Sequence, residues 1–435
     1  MKNPDRSLKK GCNIGGVVKA SLCTGCGTCE GVCPTGAISL RRDKDIFRPV
    51  VDGAKCNASK GCRVCYTVCP GHQLDITRLS TALFPEAETD PKIGRYQSVF
   101  HGNAVDSPIR FHAASGGVTT QIVVKLLRQN KIDAAVVIRL GSASCTEPEV
   151  VLAYTPEEVV QAQSSKYCPV ALGGVIRDIL DKKLRVAVVG LPCHIHGFRK
   201  AEETFPALKD AVQLYIGIYC SALQSFQGTE YIFRRFQIPR KGMVSFSYRD
   251  EGCPGSLKAS YEDGRTIKVP YHDYYRKLKS FFIPYRCMQC VDHFAELADI
   301  STGDLNIPPY NEDKVGFSSL IVRSSRGRVV IEALMQSGGL ELHALEAEPL
   351  IRSQQFSLNR KKRQIKVRYD LLRLVGRKTC NYDYAFPKSG LKAYAKSVLA
   401  SIIIYAEMFV GKRPRLWPLI DFTNSVLKKS KSGNS

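Results

Sequence analysis

Beyond residue 92 the chain alternates unbroken apolar runs with stretches of helical spacing. Asp133 to Leu140 carries Ala-Ala-Val-Val-Ile, and Arg185 to Val189 and Val212 to Tyr219 are similar runs. Continuous apolar runs of this length predict strands buried on both faces. Between them, Gly117 to Asn130 repeats apolar residues at three- and four-residue spacing, and Pro156 to Gln163 opens another helix. Ser319 to Val322, Arg328 to Ser337 and Leu340 to Leu345 then predict strand, helix and strand. Residues 243–275 read instead as antiparallel hairpins, with Glu262-Asp263-Gly264 as a turn. Strands alternating with helices predict a mixed α/β sheet over residues 93–350.

The two ends follow other rules. Ser80 to Lys92 contains two prolines among acidic residues and reads as a linker after an N-terminal unit, residues 1–79. Residues 351–435 read as a basic, partly amphipathic helical extension. Of a net charge of +23, most lies after Arg352, where 19 Lys and Arg face 4 acidic residues. Arg360-Lys361-Lys362-Arg363, with Lys366 and Arg368, forms a dense positive patch. Leu391, Tyr394, Val398, Ile402, Tyr405 and Phe409 then mark one stripe of a helix of about six turns, with Lys392 and Lys396 off it. Its apolar run, Val398 to Val410, is interrupted by Glu407 and is too short to span a bilayer. Arg413-Pro414-Arg415-Leu416-Trp417 sets an aromatic beside positive charge. The segment reads as a peripheral anchor on anionic lipid. The plainer alternative is a helix packed on its own domain with a solvated basic face. Nucleic-acid binding is not expected, because no basic motif interleaved with aromatics occurs.

A hydrophobic share of 44% is ordinary for a soluble globular protein. The use of cysteine is not ordinary. Of 17 cysteines, Cys23, Cys26, Cys29 and Cys33 precede Pro34, and Cys56, Cys62, Cys65 and Cys69 precede Pro70. The spacing C-x2-C-x2-C-x3-C-P suits two [4Fe–4S] clusters, with the fourth cysteine of each run binding the other run's cluster. On that logic Cys23, Cys26, Cys29 and Cys69 form one set, and Cys33, Cys56, Cys62 and Cys65 the other. Cys56 is the weakest member, because five residues separate it from Cys62 where two are usual. Ala37 to Leu40 and Leu74 to Ile76 follow the runs as short strands, so the halves read as a repeat and resemble bacterial two-cluster ferredoxins. Zinc is the alternative metal, but it favours separated C-x2-C pairs. Met1 to Gly15 is polar and lacks the apolar core of a signal peptide, so a cytoplasmic location and reduced thiols are expected.

Several further positions are candidate sites. Ala114-Ser115-Gly116-Gly117-Val118 precedes a helix, where backbone N–H groups suit a flavin pyrophosphate or simply cap the helix. Gly190-Leu191-Pro192-Cys193-His194 follows a strand, at the position where α/β folds bind ligands. Cys287 and Cys290 form a C-x2-C pair that supplies a third cluster together with Cys193 and Cys220, or remains as free thiols or a redox disulfide. Asp299 and Asp304 bracket a strand end, and His194 and His196 are candidate proton donors beside a flavin.

Ala114-Ser115-Gly116-Gly117, Ser164-Ser165-Lys166-Tyr167, Gly190-Leu191-Pro192-Cys193, Cys287-x2-Cys290 and Asp299-Ile300-Ser301-x2-Asp304 occur in this order. In that order, behind a ferredoxin module, they resemble the family of coenzyme F420 hydrogenase/dehydrogenase beta subunits over about residues 1–350. The resemblance implies an iron–sulfur flavoprotein oxidoreductase with FAD in the central domain. It implies Ser115, Gly116, Gly117, Ser165, Lys166, Tyr167, Gly190, Pro192 and Asp304 as flavin contacts. Members exchange electrons with a ferredoxin-type partner and with a deazaflavin or another small organic substrate, and similar chains accompany surface-polysaccharide enzymes. The alternative is a non-catalytic electron-transfer subunit of a larger redox complex. A flavin takes two electrons and clusters carry one each, so the pair converts one currency of transfer into the other.

Overall fold

A computed structural model describes residues 12–141, 144–278, 280–387 and 390–432, with side chains to residue 424. The polar start of the chain, residues 1–11, lies outside the described residues. Behind it, β1 (Ile38–Arg42) and β2 (Phe47–Val51) form an antiparallel hairpin with Ile38 opposite Val51. The second cysteine run is followed by a different structure. Gln73–Leu74 pairs in parallel with the distant Asn381–Tyr382, and Ile76–Leu83 is a helix. The strand expected at Leu74 to Ile76 therefore stops at Leu74. The stretch read as a linker begins with the end of this helix and continues into the hairpin Glu88–Asp90 with Gly94–Tyr96. Its prolines and acids suggested an open loop, but Leu79 and Phe84 are buried and anchor it.

The central sheet has eight strands. In chain order they are β3 (Ser98–Ala104), β4 (Ala134–Leu140), β5 (Pro148–Ala153), β6 (Val186–Gly190), β7 (Val212–Ile218), β11 (Ile300–Asp304), β12 (Ser318–Val322) and β13 (Leu340–Ala344). Between β7 and β11, β8 (Met243–Asp250), β9 (Ser256–Tyr261) and β10 (Thr266–Pro270) make a separate antiparallel sheet, as the hairpin pattern predicts. The spatial order of the large sheet is β13-β3-β12-β11-β7-β6-β4-β5. The inner four, β11, β7, β6 and β4, are parallel, and antiparallel strands flank them. The unbroken apolar runs occupy the parallel centre because both of its faces are covered.

On one face, Val136, Val188 and Tyr215 pack beneath Ile195 and Phe198. On the other, Val137, Ala187 and Leu214 pack against Ile122 and Val123. The covering helices are α1 (Val118–Arg128) and α2 (Pro192–Glu202). The N-terminal unit is not a separate bead, because its Val32, Val68 and Leu79 belong to the same core as α2. Two glycines permit the approach. A Cβ on Gly31 would collide with the Gly173 carbonyl, and one on Gly197 of α2 with the Thr28 hydroxyl.

The segment after residue 350 is likewise built in. Ile365 and Tyr369 join the sheet core, and Lys361, Lys362 and Arg368 are buried. The dense positive patch is thus a reading the fold corrects. Lys362 pairs with Glu296 at 2.6 Å, and Arg368 donates to the Met288 carbonyl at 2.8 Å. The remaining helices used below are α3 (Tyr271–Leu278), α4 (Ser325–Gln336), α5 (Ile365–Leu374), α6 (Leu391–Gly411) and α7 (Trp417–Ser432).

Candidate redox site

Each ferredoxin run supplies three cysteines locally, and the chain crosses over to supply the fourth. Cys23, Cys26, Cys29 and Cys69 line one cavity with Ile14, Leu40 and Pro70. Cys33, Cys56, Cys62 and Cys65 line a second with Ile38 and Val51. Cys56 joins its set because the five-residue spacer folds outward as a 3-10 turn, Asn57–Lys60, closed by Gly61 at φ 95°. Backbone N–H groups point at the sulfurs, Gly25 at Cys23 Sγ (3.4 Å) and Gly71 at Cys69 Sγ (3.3 Å). Such N–H···S bonds raise a cluster's potential. Burial pushes the Cys23 thiol up to about 11 and Cys69 up to about 12. Buried thiolates need a positive partner, which iron would supply at these sites. Among the described residues no three His, Cys, Asp or Glu side chains converge as a single ion requires. The four sulfurs of each set surround a space instead, which suits a cube better than a zinc ion.

A second kind of cysteine set is assembled from distant elements. Cys193 lies in the first turn of α2, just past the end of β6. Cys220 follows the end of β7, the parallel neighbour of β6. Cys287 and Cys290 come from the 3-10 turn Tyr285–Gln289 and the residue after it. Burial first, then the neighbouring Cys26, Cys220, Cys287 and Cys290, push the Cys193 thiol well above its ordinary value. Cys193 therefore lies near both the first ferredoxin set and Cys220, Cys287 and Cys290. Lys361 Nζ lies 3.5 Å from Cys290 Sγ, and burial raises Cys220 to about 12 against the pull of Lys361. No disulfide joins Cys287 to Cys290 in this structure.

A third region gathers most of the flavin candidates. The Tyr167 ring packs on Tyr248, Tyr271 and Tyr275, with centroids 5.8, 6.0 and 4.7 Å away. Arg249 is buried, bonds Asp304 at 2.9 Å and lies over the Tyr271 ring at 4.7 Å. Lys166 Nζ donates to the carbonyls of Ala162, Gln163 and Ser164, and burial lowers its pKa to about 7. Ser165 lies half-buried beside it. Ser115 Oγ donates to the Phe317 carbonyl at 2.8 Å, and Gly116 N–H donates to Ser318 Oγ at 3.0 Å. Gly117, at φ 77°, caps α1. The loop reaches the same region at Gly316, where a Cβ would meet both Ser115 and Cys253, and Arg249 Nη2 lies 3.6 Å from Cys253 Sγ. The sequence reading missed Arg249, Tyr248, Tyr271 and Tyr275. They sit on strands and a helix with no motif spacing, and only the run Tyr271-His272-Asp273-Tyr274-Tyr275 hints at an aromatic platform.

Gly190 and Pro192 belong elsewhere: they shape the turn that presents Cys193, and Gly190 leaves room for the His194 side chain. The two histidines are structural. His194 is buried with Nδ1 accepting from Leu191 N–H and Nε2 facing the Val170 carbonyl, and burial lowers its pKa to about 4. His196 bonds the buried Asp292 at 2.7 Å. The two acids also part ways. Asp299 accepts from Arg199, Arg326 and the Tyr215 N–H and stays in the core, whereas Asp304 joins Arg249.

Comparison with known proteins identifies the family. The model for the N-terminus of the coenzyme F420 hydrogenase/dehydrogenase beta subunit matches residues 99–177, and that for its C-terminus matches residues 183–348. A 4Fe–4S binding domain matches residues 17–39. An F420H2 dehydrogenase subunit of Methanosarcina mazei is 26% identical over 319 residues, covering 72% of this chain and 82% of that one. The coenzyme F420-dependent sulfite reductase of Methanocaldococcus jannaschii is 25% identical, covering 81% of this chain and 51% of its own length. A chain of the F420-reducing [NiFe] hydrogenase complex of Methanosarcina barkeri shares the fold, with TM-score 0.54 and 21% identity over 68% of this chain and all of that one. With its 4Fe–4S segment and both halves matched in order, the chain is an iron–sulfur redox protein that belongs to the family of coenzyme F420 hydrogenase/dehydrogenase beta subunits.

Proposed function

We propose that the chain is an electron-transferring subunit that links a ferredoxin-type partner protein to a two-electron organic couple. The observation that carries this reading is the neighbourhood of Cys193: a Cβ on Gly197, one turn further along α2, would lie 3.6 Å from Cys26 Sγ, and Cys26, Cys220, Cys287 and Cys290 all act on the Cys193 thiol. Three four-cysteine sets thus follow one another: Cys33, Cys56, Cys62 and Cys65; then Cys23, Cys26, Cys29 and Cys69; then Cys193, Cys220, Cys287 and Cys290. Each holds a [4Fe–4S] cluster, which supplies one-electron transfer when bound. Tyr275 continues the line, since its surroundings include both Cys220 and Tyr167.

FAD is the two-electron group proposed for the Tyr167 region. Tyr167, Tyr271 and Tyr275 offer ring faces, Arg249 offers positive charge, and Gln163 Oε1 is buried there without a hydrogen-bond partner. Lys361 and Arg360 place positive charge beside the third set, which favours an electron-rich cluster. The second reading is an oxidoreductase that turns over a small organic substrate unaided, such as a deazaflavin. The same Tyr–Arg–Asp region favours it, because a flavin there needs a second reactant.

The test is protein reconstituted without oxygen, with iron, sulfide and released flavin counted per chain. About twelve irons and one FAD support the full line, about eight remove the third cluster, and zinc without iron sinks the proposal. Turnover of a reduced deazaflavin by the isolated chain favours the enzyme reading. Reduction of a ferredoxin only within a larger assembly favours the relay.

A further inference from the structure

Helix α6 forms where the periodicity predicts it, but it is turned over. Ser397, Ser401, Met408 and Gly411 face inward. Leu399 (61% exposed), Ile402 (56%), Ile403 (50%) and Phe409 (54%) face outward. The expected stripe through Ile402 and Phe409 is therefore not the packed face. The packed serines are small and bond their own helix, Ser397 Oγ to the Ala393 carbonyl and Ser401 Oγ to the Ser397 carbonyl. A helix that turns serines inward and isoleucines outward has a second apolar environment to meet. Trp417 is not part of it. Its ring is buried against Tyr231 and Phe282, and Nε1 donates to the Gly411 carbonyl.

The helix is held along its length by its own domain. Tyr394 OH donates to Asp370 of α5 at 3.2 Å, and Met408 packs with Ile283 and Met288. A Cβ on Gly411 would collide with the Phe281 backbone, and Lys412 pairs with Asp45 at 3.1 Å. The apolar run Val398 to Val410 suggested a segment too short to span a bilayer, but the whole helix α6 is, by length and composition, long and apolar enough to cross one. Fixed at both ends on the domain, it is positioned to lie along a membrane surface instead. Lys392 and Lys396 near its start and Arg413 and Arg415 past its end are exposed, and Leu419 of α7 extends the apolar surface. An apolar face about 20 Å long, flanked by cations at both ends, matches the hydrocarbon edge and anionic headgroups of a bilayer.

We propose that the outward face of α6, continued by the start of α7, seats the protein on an anionic membrane surface. Its apolar side chains enter the acyl boundary, and Lys392, Lys396, Arg413 and Arg415 meet lipid phosphates. The inner side of the same helix covers the turn that carries Cys287, through Ile404, Tyr405 and Met408. The proposed third cluster then sits about one helix thickness from the lipid.

The experiment is flotation of the cluster-loaded, full-length chain with phosphatidylcholine vesicles, with and without about one third phosphatidylglycerol. Binding is expected to the anionic vesicles and to fall as salt rises. The triple variant Ile402→Gln, Ile403→Gln, Phe409→Gln is expected to lower partitioning at least about tenfold, because three buried apolar contacts are lost. A K392Q, K396Q, R415Q variant is expected to remove the preference for anionic lipid. Both change only solvent-facing positions, so unchanged melting and cluster absorption show that the fold persists. Flotation untouched by the triple variant overturns the proposal. So does absence of flotation: if the protein alone is then a dimer that the triple variant dissociates, a second copy covers the face, and if it is a monomer, another protein does.

Discussion

The ferredoxin cavities and the Cys193 set use four cysteines each, yet they are built in opposite ways. In the first, short spacers, two residues long except for the five between Cys56 and Cys62, bring three sulfurs together locally, and only the fourth comes from a distance. In the second, two sulfurs come from the ends of adjacent parallel strands and two from a turn much later in the chain, and Lys361 closes the far side. A local site is specified by spacing and survives in any fold that leaves the loop intact. An assembled site exists only if the sheet, its crossovers and the late chain all take their places. The difference predicts how each fails.

The largest effect is expected at Cys26, which belongs to the local set and borders the assembled one. Cys26→Ser should lower iron by about four per chain and stop transfer between the module and the central domain. Iron analysis and reduction kinetics check it, and full iron content with normal transfer would break the comparison. Cys290→Ser should also remove about four irons while both ferredoxin cluster signals persist. Loss of all cluster signals instead would mean that the two sites share one folding unit.

Gly31→Ala tests the seam between the regions. The added methyl meets the Gly173 carbonyl, and overpacking of this kind costs about 1–3 kcal/mol. Denaturant unfolding should report that loss with both local cavities still competent for iron. Asp304→Asn leaves the buried Arg249 guanidinium without its carboxylate. A loss of about 1–3 kcal/mol is expected, because Asp304 itself is partly solvated, along with weaker retention of the proposed flavin. A stable variant that retains the proposed flavin would remove Asp304 from the Tyr167 region.

The smallest effect is at the surface near it. Lys258 and Lys268 hold Glu251 down at about 2. Its stabilisation is complete above its ordinary pKa and is lost as pH falls from about 4.5 toward 2. Solvent screening keeps the effect below about 1 kcal/mol. Acid melts of Glu251→Gln should show a slightly shallower decline than those of the parent.

The legible parts of this protein were those in which spacing in the chain is spacing in the structure. The cysteine runs qualify, including the exchange of Cys33 and Cys69, and so do the strands around Val136, Val188 and Leu214, whose apolar character reports burial on both faces. The Tyr167 region was half legible. Lys166 and Tyr167 stand in a recognisable string, but Arg249, Tyr271 and Tyr275 reach it by folding of the second sheet, and Gly190 and Pro192 turned out to serve Cys193. His194 and His196 looked like chemistry because the type of residue is visible and its partners, the Val170 carbonyl and Asp292, are not.

The last 84 residues draw the line most clearly. Composition determined that they are basic, and periodicity determined that 391–411 is helical. Neither could say which charges remain in water. Lys361 and Lys362 are buried because Cys290 and Glu296 wait for them across the fold, and α6 shows isoleucine outward because Phe281 and Asp370 grip its other side. Ligand identity and strand positions rest on local geometry, which a sequence carries directly. Burial, pairing and the facing of a helix are properties of two surfaces meeting, and a single stretch of chain contains only one of them.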